Sequence, residues 1–150
     1  VGRLDDWLKH VVARDGIFID PSALEWAGIA AMKRAYQIFQ ERGYRARVLA
    51  AAFRNVNQWA EFVGGDVVVS PPFKWQQIIA ESDYVTRERI ADPVKPEYIA
   101  ELERIEDFEP DGMTIEEFEE FGPTRKTLRQ FLAADADLDA LVRDIIVPAP

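Results

Sequence analysis

The chain has 150 residues, of which 48% are hydrophobic and 30% charged, a balance typical of a soluble globular protein. It contains no cysteine, which excludes disulfides, thiol catalysis and cysteine zinc sites. The net charge of -9 argues against nucleic-acid binding, which needs a basic surface. Because no apolar stretch approaches the roughly 20 residues of a membrane span and no signal-peptide pattern opens the chain, we expect no membrane association and a cytoplasmic location.

Helical periodicity dominates the first part of the chain. Apolar residues at helical spacing predict a helix over 4–14, which Gly16 should end. Ser22 and Glu25 have the spacing of a capping box. They predict the start of a longer helix that runs to about Arg42.

The middle of the chain predicts a strand–helix–strand unit. Two apolar runs, over about 47–53 and 66–70, lack polar alternation, as expected for parallel strands buried on both faces. Asn55 can cap a short helix between them. Two parallel strands do not form a stable sheet alone. We therefore expect either further strands beside them or an unusual, mostly helical domain. Exposed strand edges would also favour self-association.

Arg54 directly follows the first of these strands. Ligands of folds built from strand–helix–strand units bind at the carboxyl ends of the strands. A cation beside the N-terminus of a helix predicts an anion site at this position. The alternative interpretation is a loop arginine that forms an ion pair with Glu61 or Asp66.

The last part of the chain, 83–150, predicts helices alone. Thr114 and Glu117 have the spacing of a second capping box and should begin one of them. Two terminal helices are predicted over 124–134 and 138–147. The excess of helices over strands indicates a mostly helical chain.

Three phrases within residues 1–82 resemble the transaldolase family. Residues 51–55 (AAFRN) are similar to the family's A-S-F-R-N at the end of the seventh barrel strand. Residues 67–71 (VVVSP) are similar to its eighth strand, and residues 1–7 (VGRLDDW) resemble the V-G-R-x-x-D-W that follows its sixth strand.

The resemblance implies an α/β fold, the C-terminal portion of a TIM-type (β/α)8 barrel that is mostly helical with two parallel strands. Residues 1–82 would form the end of the sixth βα repeat and all of the seventh and eighth. Residues 83–150 would form a helical C-terminal extension that packs on the barrel. The chain would then be a single, incomplete domain.

The resemblance also implies a function and site residues. The family transfers a dihydroxyacetone unit between sugar phosphates through a lysine Schiff base, without a metal or an organic cofactor. By resemblance, Arg3 and Arg54 would bind the substrate phosphate and Asn55 would help to shape the turn. Ala52 stands where the family often has a serine that donates to the same phosphate. Two guanidinium groups suit this role because each can donate charge-assisted, bidentate hydrogen bonds.

Catalytic groups are not expected in this chain. In the family, the Schiff-base lysine and the acid–base carboxylates lie on earlier strands. The lysines of this sequence fall on or beside predicted helices: Lys9, Lys33, Lys74, Lys95 and Lys126. None is in an apolar strand, where desolvation would lower the pKa of the amine and make it nucleophilic.

We therefore expect an inactive C-terminal fragment of a transaldolase-like enzyme of the pentose phosphate pathway. It would bind a sugar phosphate and either a missing N-terminal half of the barrel or a second copy of itself. A related aldolase would use the same barrel. The alternative, from another class of function, is a non-catalytic module. It would bind either a phosphorylated metabolite or, through its acidic helices, a protein.

Overall fold

A computed structural model describes residues 1–109 and 112–146 of the chain, which divides into two compact units. The N-terminal unit comprises Val1–Gly112 and the C-terminal unit Met113–Pro150. The elements of the N-terminal unit are α1 (Gly2–Asp15), α2 (Pro21–Leu24), α3 (Ala27–Glu41), β1 (Leu49–Ala51), α4 (Asn57–Ala60), β2 (Val68–Ser70), α5 (Phe73–Ala80) and α6 (Pro96–Leu102). The C-terminal unit contains α7 (Ile115–Glu120) and α8 (Gly122–Ile146).

The two strands pair in parallel, with Leu49 opposite Val68. Each has 3 residues, so both are shorter than the apolar runs that predicted them. β1 ends because Ala52 has a φ of 60°, which turns the backbone out of the extended conformation. β2 ends before Pro71, which has no N–H to continue the ladder.

One face of the sheet is packed and the other is open. Val48, Ala50 and Val67 lie in or against a hydrophobic cluster formed with α3. Leu49 points to the opposite face, because successive side chains of a strand alternate, and it is 57% exposed. We predicted that both faces of the two strands would be buried, and for the residues described this prediction is wrong.

The core of the N-terminal unit consists of two clusters. The first joins α1, α2, α3 and α6 through buried side chains that include Leu8, Val11, Leu24, Leu102 and Ile105. The second joins α3 to β1 and the chain that follows it, through Ile29, Met32, Ala50, Phe53 and Phe62. Residues 83–109, which we expected in the C-terminal extension, thus contribute to this core.

The helix predicted to begin at Ser22 is interrupted. A 4-residue α2 precedes α3, and the cap of α2 is Asp20, whose carboxylate accepts a hydrogen bond from the Ser22 N–H at 2.8 Å. The predicted capping box at Ser22 is therefore wrong. Pro21 explains the difference because proline suits the first helical position, which moves the cap back to Asp20.

In its described residues, the C-terminal unit contains two helices, α7 and α8, and no strand. The capping box predicted at Thr114 and Glu117 is present at the start of α7. The two predicted terminal helices are one continuous helix, α8, of 25 residues; the predicted end at residue 147 lies outside the described residues. Residues 135–137 (Asp-Ala-Asp) do not break it, because they contain neither glycine nor proline.

Candidate functional site

The turn between β1 and α4 holds Arg54 through the side chains of its neighbours. The Arg54 N–H donates to Gln58 Oε1 at 2.5 Å. The Gln58 N–H donates to Asn55 Oδ1 at 3.1 Å, and Asn55 Nδ2 donates to the carbonyl of Glu25 at 3.4 Å. These side-chain hydrogen bonds hold the conformation of the turn, and Arg54 Nη1 adds bonds to the carbonyls of Ala52 and Phe53 at 3.3 and 3.0 Å.

The guanidinium group of Arg54 forms an ion pair with Asp6 of α1. Its Nη2 donates to Asp6 Oδ2 at 2.6 Å, and its Nε lies 3.1 and 3.0 Å from the two carboxylate oxygens. These bonds raise the pKa of Arg54. Glu61 and Asp66, the partners that the sequence suggested, form ion pairs with other cations. The anion at Arg54 thus comes from α1, 48 residues away.

The N-terminus of α1 packs directly against this turn. The Gly2 N–H donates to the carbonyl of Ala52 at 2.9 Å. A Cβ atom on Gly2 would lie 2.0 Å from that oxygen and 2.6 Å from Arg54 Cγ, so this approach requires glycine. Arg3 is the next residue and is exposed in the first turn of α1. The structure therefore places Arg3 and Arg54 at the same end of the N-terminal unit.

Ala52 connects these groups through its carbonyl. Its left-handed conformation, with a φ of 60°, costs an alanine about 1–2 kcal/mol. The carbonyl that this conformation presents accepts from Gly2 N and, at 3.3 Å, from Arg54 Nη1. The methyl side chain of Ala52 has no hydroxyl group to offer an anion.

Asp5 is a buried carboxylate that the sequence analysis missed, and it stabilises the turn through hydrogen bonds. Asp5 is 0% exposed, and its Oδ1 accepts from the Gly28 N–H at 2.7 Å. Its Oδ2 accepts from Gln58 Nε2, while Gln58 Oε1 accepts from the Arg54 N–H. Burial raises the pKa of Asp5 to about 6, partly offset by the Gly28 hydrogen bond. The position of Asp5 three residues before Leu8, on the apolar face of α1, was the available signal.

Lys33 is the second buried charge that the sequence analysis missed. It lies on α3 and is 5% exposed. Its Nζ donates to Glu61 Oε2 at 2.7 Å and to the carbonyls of Arg89 and Asp92 at 2.8 and 2.7 Å. All three N–H groups of the ammonium donate hydrogen bonds, so Lys33 connects three segments of the chain. An ammonium group engaged in this way has no lone pair for nucleophilic attack.

A pocket of about 220 Å³ lies beside Lys33, lined also by Arg34, Gln37, Asp92 and Val94. Arg54 is not among the residues that line it. Within residues 1–109 and 112–146, no group of three or more His, Cys, Asp or Glu could hold a metal ion. None of the helices in the same described ranges has the length and hydropathy of a membrane span.

Comparison with known proteins identifies the family. The family model described as Transaldolase/Fructose-6-phosphate aldolase matches residues 1–138. The chain belongs to this family.

Three relatives, each named transaldolase, show how much of such a protein the chain represents. It is 26% identical to those of Aliivibrio fischeri strain MJ11 and Vibrio cholerae strain M66-2 over 145 residues, which is 95% of this chain and 42% of each relative. The third relative, from Prochlorococcus marinus strain NATL2A, is 32% identical over 78 residues. These residues are 52% of this chain and 22% of the relative. The chain thus spans about two fifths of the first two relatives. No solved structure matches it.

Proposed function

We propose that the chain supplies the phosphate-binding end of a transaldolase-type (β/α)8 barrel. The complete enzyme would transfer a dihydroxyacetone unit from sedoheptulose 7-phosphate to glyceraldehyde 3-phosphate, forming erythrose 4-phosphate and fructose 6-phosphate. One observation carries the proposal: Arg54, at the carboxyl end of β1, lies against the start of α1, where Gly2 and Arg3 follow one another. Family membership supports the same interpretation.

The hydrogen bonds of β1 support a barrel in which further strands lie beside it. The carbonyl of Val48 accepts from Val68 N in β2. Because successive carbonyls of a strand point to opposite edges, the carbonyl of Ala51 points away from β2, and it accepts from Val1 N at 3.0 Å. A sixth barrel strand leading into Val1 would lie along this edge. The exposed Leu49 would then face the interior of the barrel.

The phosphate would bind between the two arginines and the first turn of α1. The positive end of the dipole of this 14-residue helix favours an anion, and both guanidinium groups can donate bidentate hydrogen bonds to it. Asp6 holds Arg54 in place when no phosphate is bound, and a phosphate dianion would compete with it for the same N–H groups. Because Ala52 replaces the serine that the family often has here, the site would lack one hydroxyl donor to the phosphate.

The Schiff-base lysine would come from outside this chain. Lys9, Lys33, Lys74 and Lys126 lie on helices, Lys95 caps one, and the buried Lys33 uses all of its donors. We therefore expect the 150-residue chain alone to be inactive. From the family we also propose a place in the pentose phosphate pathway of the cytoplasm.

Titration of the ¹⁵N-labelled chain with fructose 6-phosphate tests the site, with fructose as the unphosphorylated control. Saturable shifts are expected at the amides of Arg54, Asn55 and Gln58 with the phosphate ester alone. Arg54→Gln should abolish them, whereas Arg47→Gln, at an exposed arginine paired with Asp66, should not. Equal shifts with fructose, or unchanged binding in Arg54→Gln, would overturn the proposal.

The expected inactivity has a separate test. The chain should neither transfer dihydroxyacetone from fructose 6-phosphate to erythrose 4-phosphate nor retain a substrate adduct after borohydride reduction. Turnover or a trapped adduct would show that the lysine is present in this chain. Neither result would test whether Arg54 binds phosphate, which the NMR titration measures separately.

A fructose-6-phosphate aldolase is the second candidate, because the description of the matching family model also names that activity. The same arginines would bind its phosphorylated substrate. In a longer protein that contains this segment, retention of activity without an aldehyde acceptor would favour the aldolase. Absence of both activities there would favour a non-catalytic module that binds a phosphorylated metabolite.

A further inference from the structure

The side-chain amide of Gln58 joins two groups that lie on opposite sides of it. Its Oε1 accepts from the Arg54 N–H at 2.5 Å, and its Nε2 donates to Asp5 Oδ2. Gln58 and Asp5 are both 0% exposed, whereas Arg54 lies at the surface. These hydrogen bonds form a relay, the Gln58 relay, from a buried carboxylate to the backbone of the arginine that follows β1.

Backbone groups fix both ends of the Gln58 relay. A backbone N–H only donates, so the Arg54 N–H requires the oxygen of the Gln58 amide and leaves the NH2 group to face Asp5. The Gly28 N–H, in the first turn of α3, donates to Asp5 Oδ1 at 2.7 Å. The hydrogen bond between Gln58 and Asp5 therefore exists only while Asp5 Oδ2 is an acceptor.

A proton on Asp5 disrupts the relay. Because Oδ1 accepts from the Gly28 N–H, the proton is placed on Oδ2, where it meets the NH2 group of Gln58 donor to donor. Rotation of the amide by half a turn offers its oxygen to Asp5 but turns its NH2 group toward the Arg54 N–H, so one hydrogen bond is lost in either orientation. The loss costs least at Arg54, which is exposed to water, whereas Asp5 and Gln58 are not.

The surroundings of Asp5 allow it to change charge close to neutral pH. Its hydrogen-bond partners on α3 and α4 are uncharged. The charged groups that act on it are the Val1 ammonium group, Asp6 and Lys9 of α1, and Arg54 of the turn. Burial is the largest influence and raises the pKa of Asp5 to about 6. Both charge states of Asp5 are therefore populated near that pH.

We propose that Asp5 is a positioning residue that holds Arg54 for the phosphate ester through the orientation of the Gln58 amide. The ionised carboxylate keeps the Gln58 oxygen on the Arg54 N–H and so stabilises the turn that presents the guanidinium group. The neutral carboxyl group takes that oxygen for itself and releases the Arg54 N–H, which weakens phosphate binding. The inference rests on the proposed function, because it concerns the regulation of the same site.

An NMR pH titration of the ligand-free chain tests the Gln58 relay alone. In the wild type, the Arg54 backbone amide and the Gln58 side-chain amide should shift together, with a midpoint at about pH 6. This shift should be absent in Asp5→Asn and intact in Asp15→Asn, which changes an exposed carboxylate of the same helix. No such midpoint in the wild type, or a midpoint that persists in Asp5→Asn, would overturn the proposal.

An exchange of the two side-chain types tests the direction of the relay. Binding is measured at about pH 8, where the phosphate ester is a dianion because its second pKa is near 6. Asp5→Asn places an NH2 group where the neutral carboxyl carries its proton, so the Kd for fructose 6-phosphate should rise about three- to tenfold, the effect of one lost hydrogen bond. Adding Gln58→Glu supplies a carboxylate that accepts from this NH2 group and from the Arg54 N–H. The double variant should therefore regain most of the wild-type affinity, and Asp15→Asn should not change it.

The two measurements separate this inference from the proposed function. Wild-type binding that Asp5→Asn leaves unchanged, or that the double variant does not restore, would overturn the inference and retain the phosphate site. Absence of binding to the wild-type chain would overturn the proposed function, and with it the role of Asp5 in binding. The wild-type titration needs neither a substitution nor the ester, so it tests the relay even where a variant fails to fold.

Discussion

The two compact units of the chain use their apolar and charged side chains differently. The N-terminal unit buries two hydrophobic clusters and the ion pair of Lys33 with Glu61. The C-terminal unit buries none of its described side chains, although α8 is strongly amphipathic. The apolar and charged side chains that stabilise the N-terminal unit thus contact one another within that unit. The amphipathic pattern of α8 has a physical role only when its apolar face meets another surface.

The ion pairs show the same contrast. In the N-terminal unit, the pairs of Lys33 with Glu61 and of Arg54 with Asp6 join segments far apart in the chain. In the C-terminal unit, Arg143 pairs with Asp139 one turn earlier, and both side chains are mostly exposed. Exposed pairs of this type contribute only about 0.3–0.5 kcal/mol on a helix. Long-range ion pairs therefore contribute to the tertiary structure of the N-terminal unit, whereas the ion pairs of Arg125 and Arg143 in the C-terminal unit join residues close in sequence.

The largest effect is expected at Lys33. Lys33→Met would leave the buried Glu61 with only its longer contact to Arg89, at 3.6 Å, and removing one partner of a buried pair typically costs about 3–5 kcal/mol. Urea denaturation should show this loss in the free energy of unfolding of the N-terminal unit. Lys74→Met, at an exposed lysine of α5, is the matched control and should change it by less than about 0.5 kcal/mol. A small effect of Lys33→Met would contradict this account and would mean that Arg89 alone suffices to stabilise the buried Glu61 carboxylate.

A matched pair of leucines compares the two units directly. Leu8→Ala removes a fully buried side chain and should cost the N-terminal unit about 2–5 kcal/mol. Leu138 is 59% exposed, so in dilute, monomeric protein Leu138→Ala should cost less than about 0.5 kcal/mol. Thermal or urea unfolding at low concentration measures both. Equal losses would show that Leu138 is buried within the monomer.

Asp5 should make the stability of the N-terminal unit depend on pH. Its pKa is raised from 3.8 to about 6 in the folded state, so its stabilising effect is complete below about pH 4 and lost as the pH rises through about 6. Relative to Asp5→Asn, the free energy of unfolding of the wild type should fall by on the order of 3 kcal/mol between these limits. Asp15→Asn, at an exposed carboxylate whose pKa Arg14 lowers, should show no such fall. Parallel pH profiles of wild type and Asp5→Asn would contradict this account.

The smallest effect is expected at Asp6, which occupies the N–H groups of Arg54. Asp6→Asn removes a competing anion from an exposed ion pair worth about 0.2–1 kcal/mol. The Kd for fructose 6-phosphate should therefore fall by up to about fivefold. The NMR titration of Arg54 and its neighbours measures this change. Weaker binding in Asp6→Asn would mean that Asp6 positions Arg54 for the phosphate and does not compete with it.

Sequence patterns correctly predicted features that depend on neighbouring residues. The apolar runs predicted both strands, and the Thr114 capping box is present. The buried charges were missed because their burial depends on distant partners. Lys33 Nζ reaches carbonyls 56 and 59 residues away, and Asp5 reaches the side chain of Gln58 53 residues away. Such contacts arise from the packing of elements, which helical periodicity does not encode.

The continuity of α8 illustrates a further limit. Two helices were predicted on either side of residues 135–137, which include Asp135 and Asp137, and aspartate has a low helix propensity. That cost is under about 0.7 kcal/mol for each residue, too small to end a helix that has no proline or glycine at this point. Sequence reasoning therefore located the helical segment but not its unbroken length.

Hydrogen exchange of the 150-residue chain, measured with and without fructose 6-phosphate, tests the contrast between the units most directly. Amides of residues 52–60 should exchange more slowly with the phosphate ester. Amides of α8, which buries none of its side chains, should exchange faster than those of α1, whether or not the ester is present. Exchange in α8 as slow as in α1, or exchange around Arg54 that saturating ester leaves unchanged, would contradict the account.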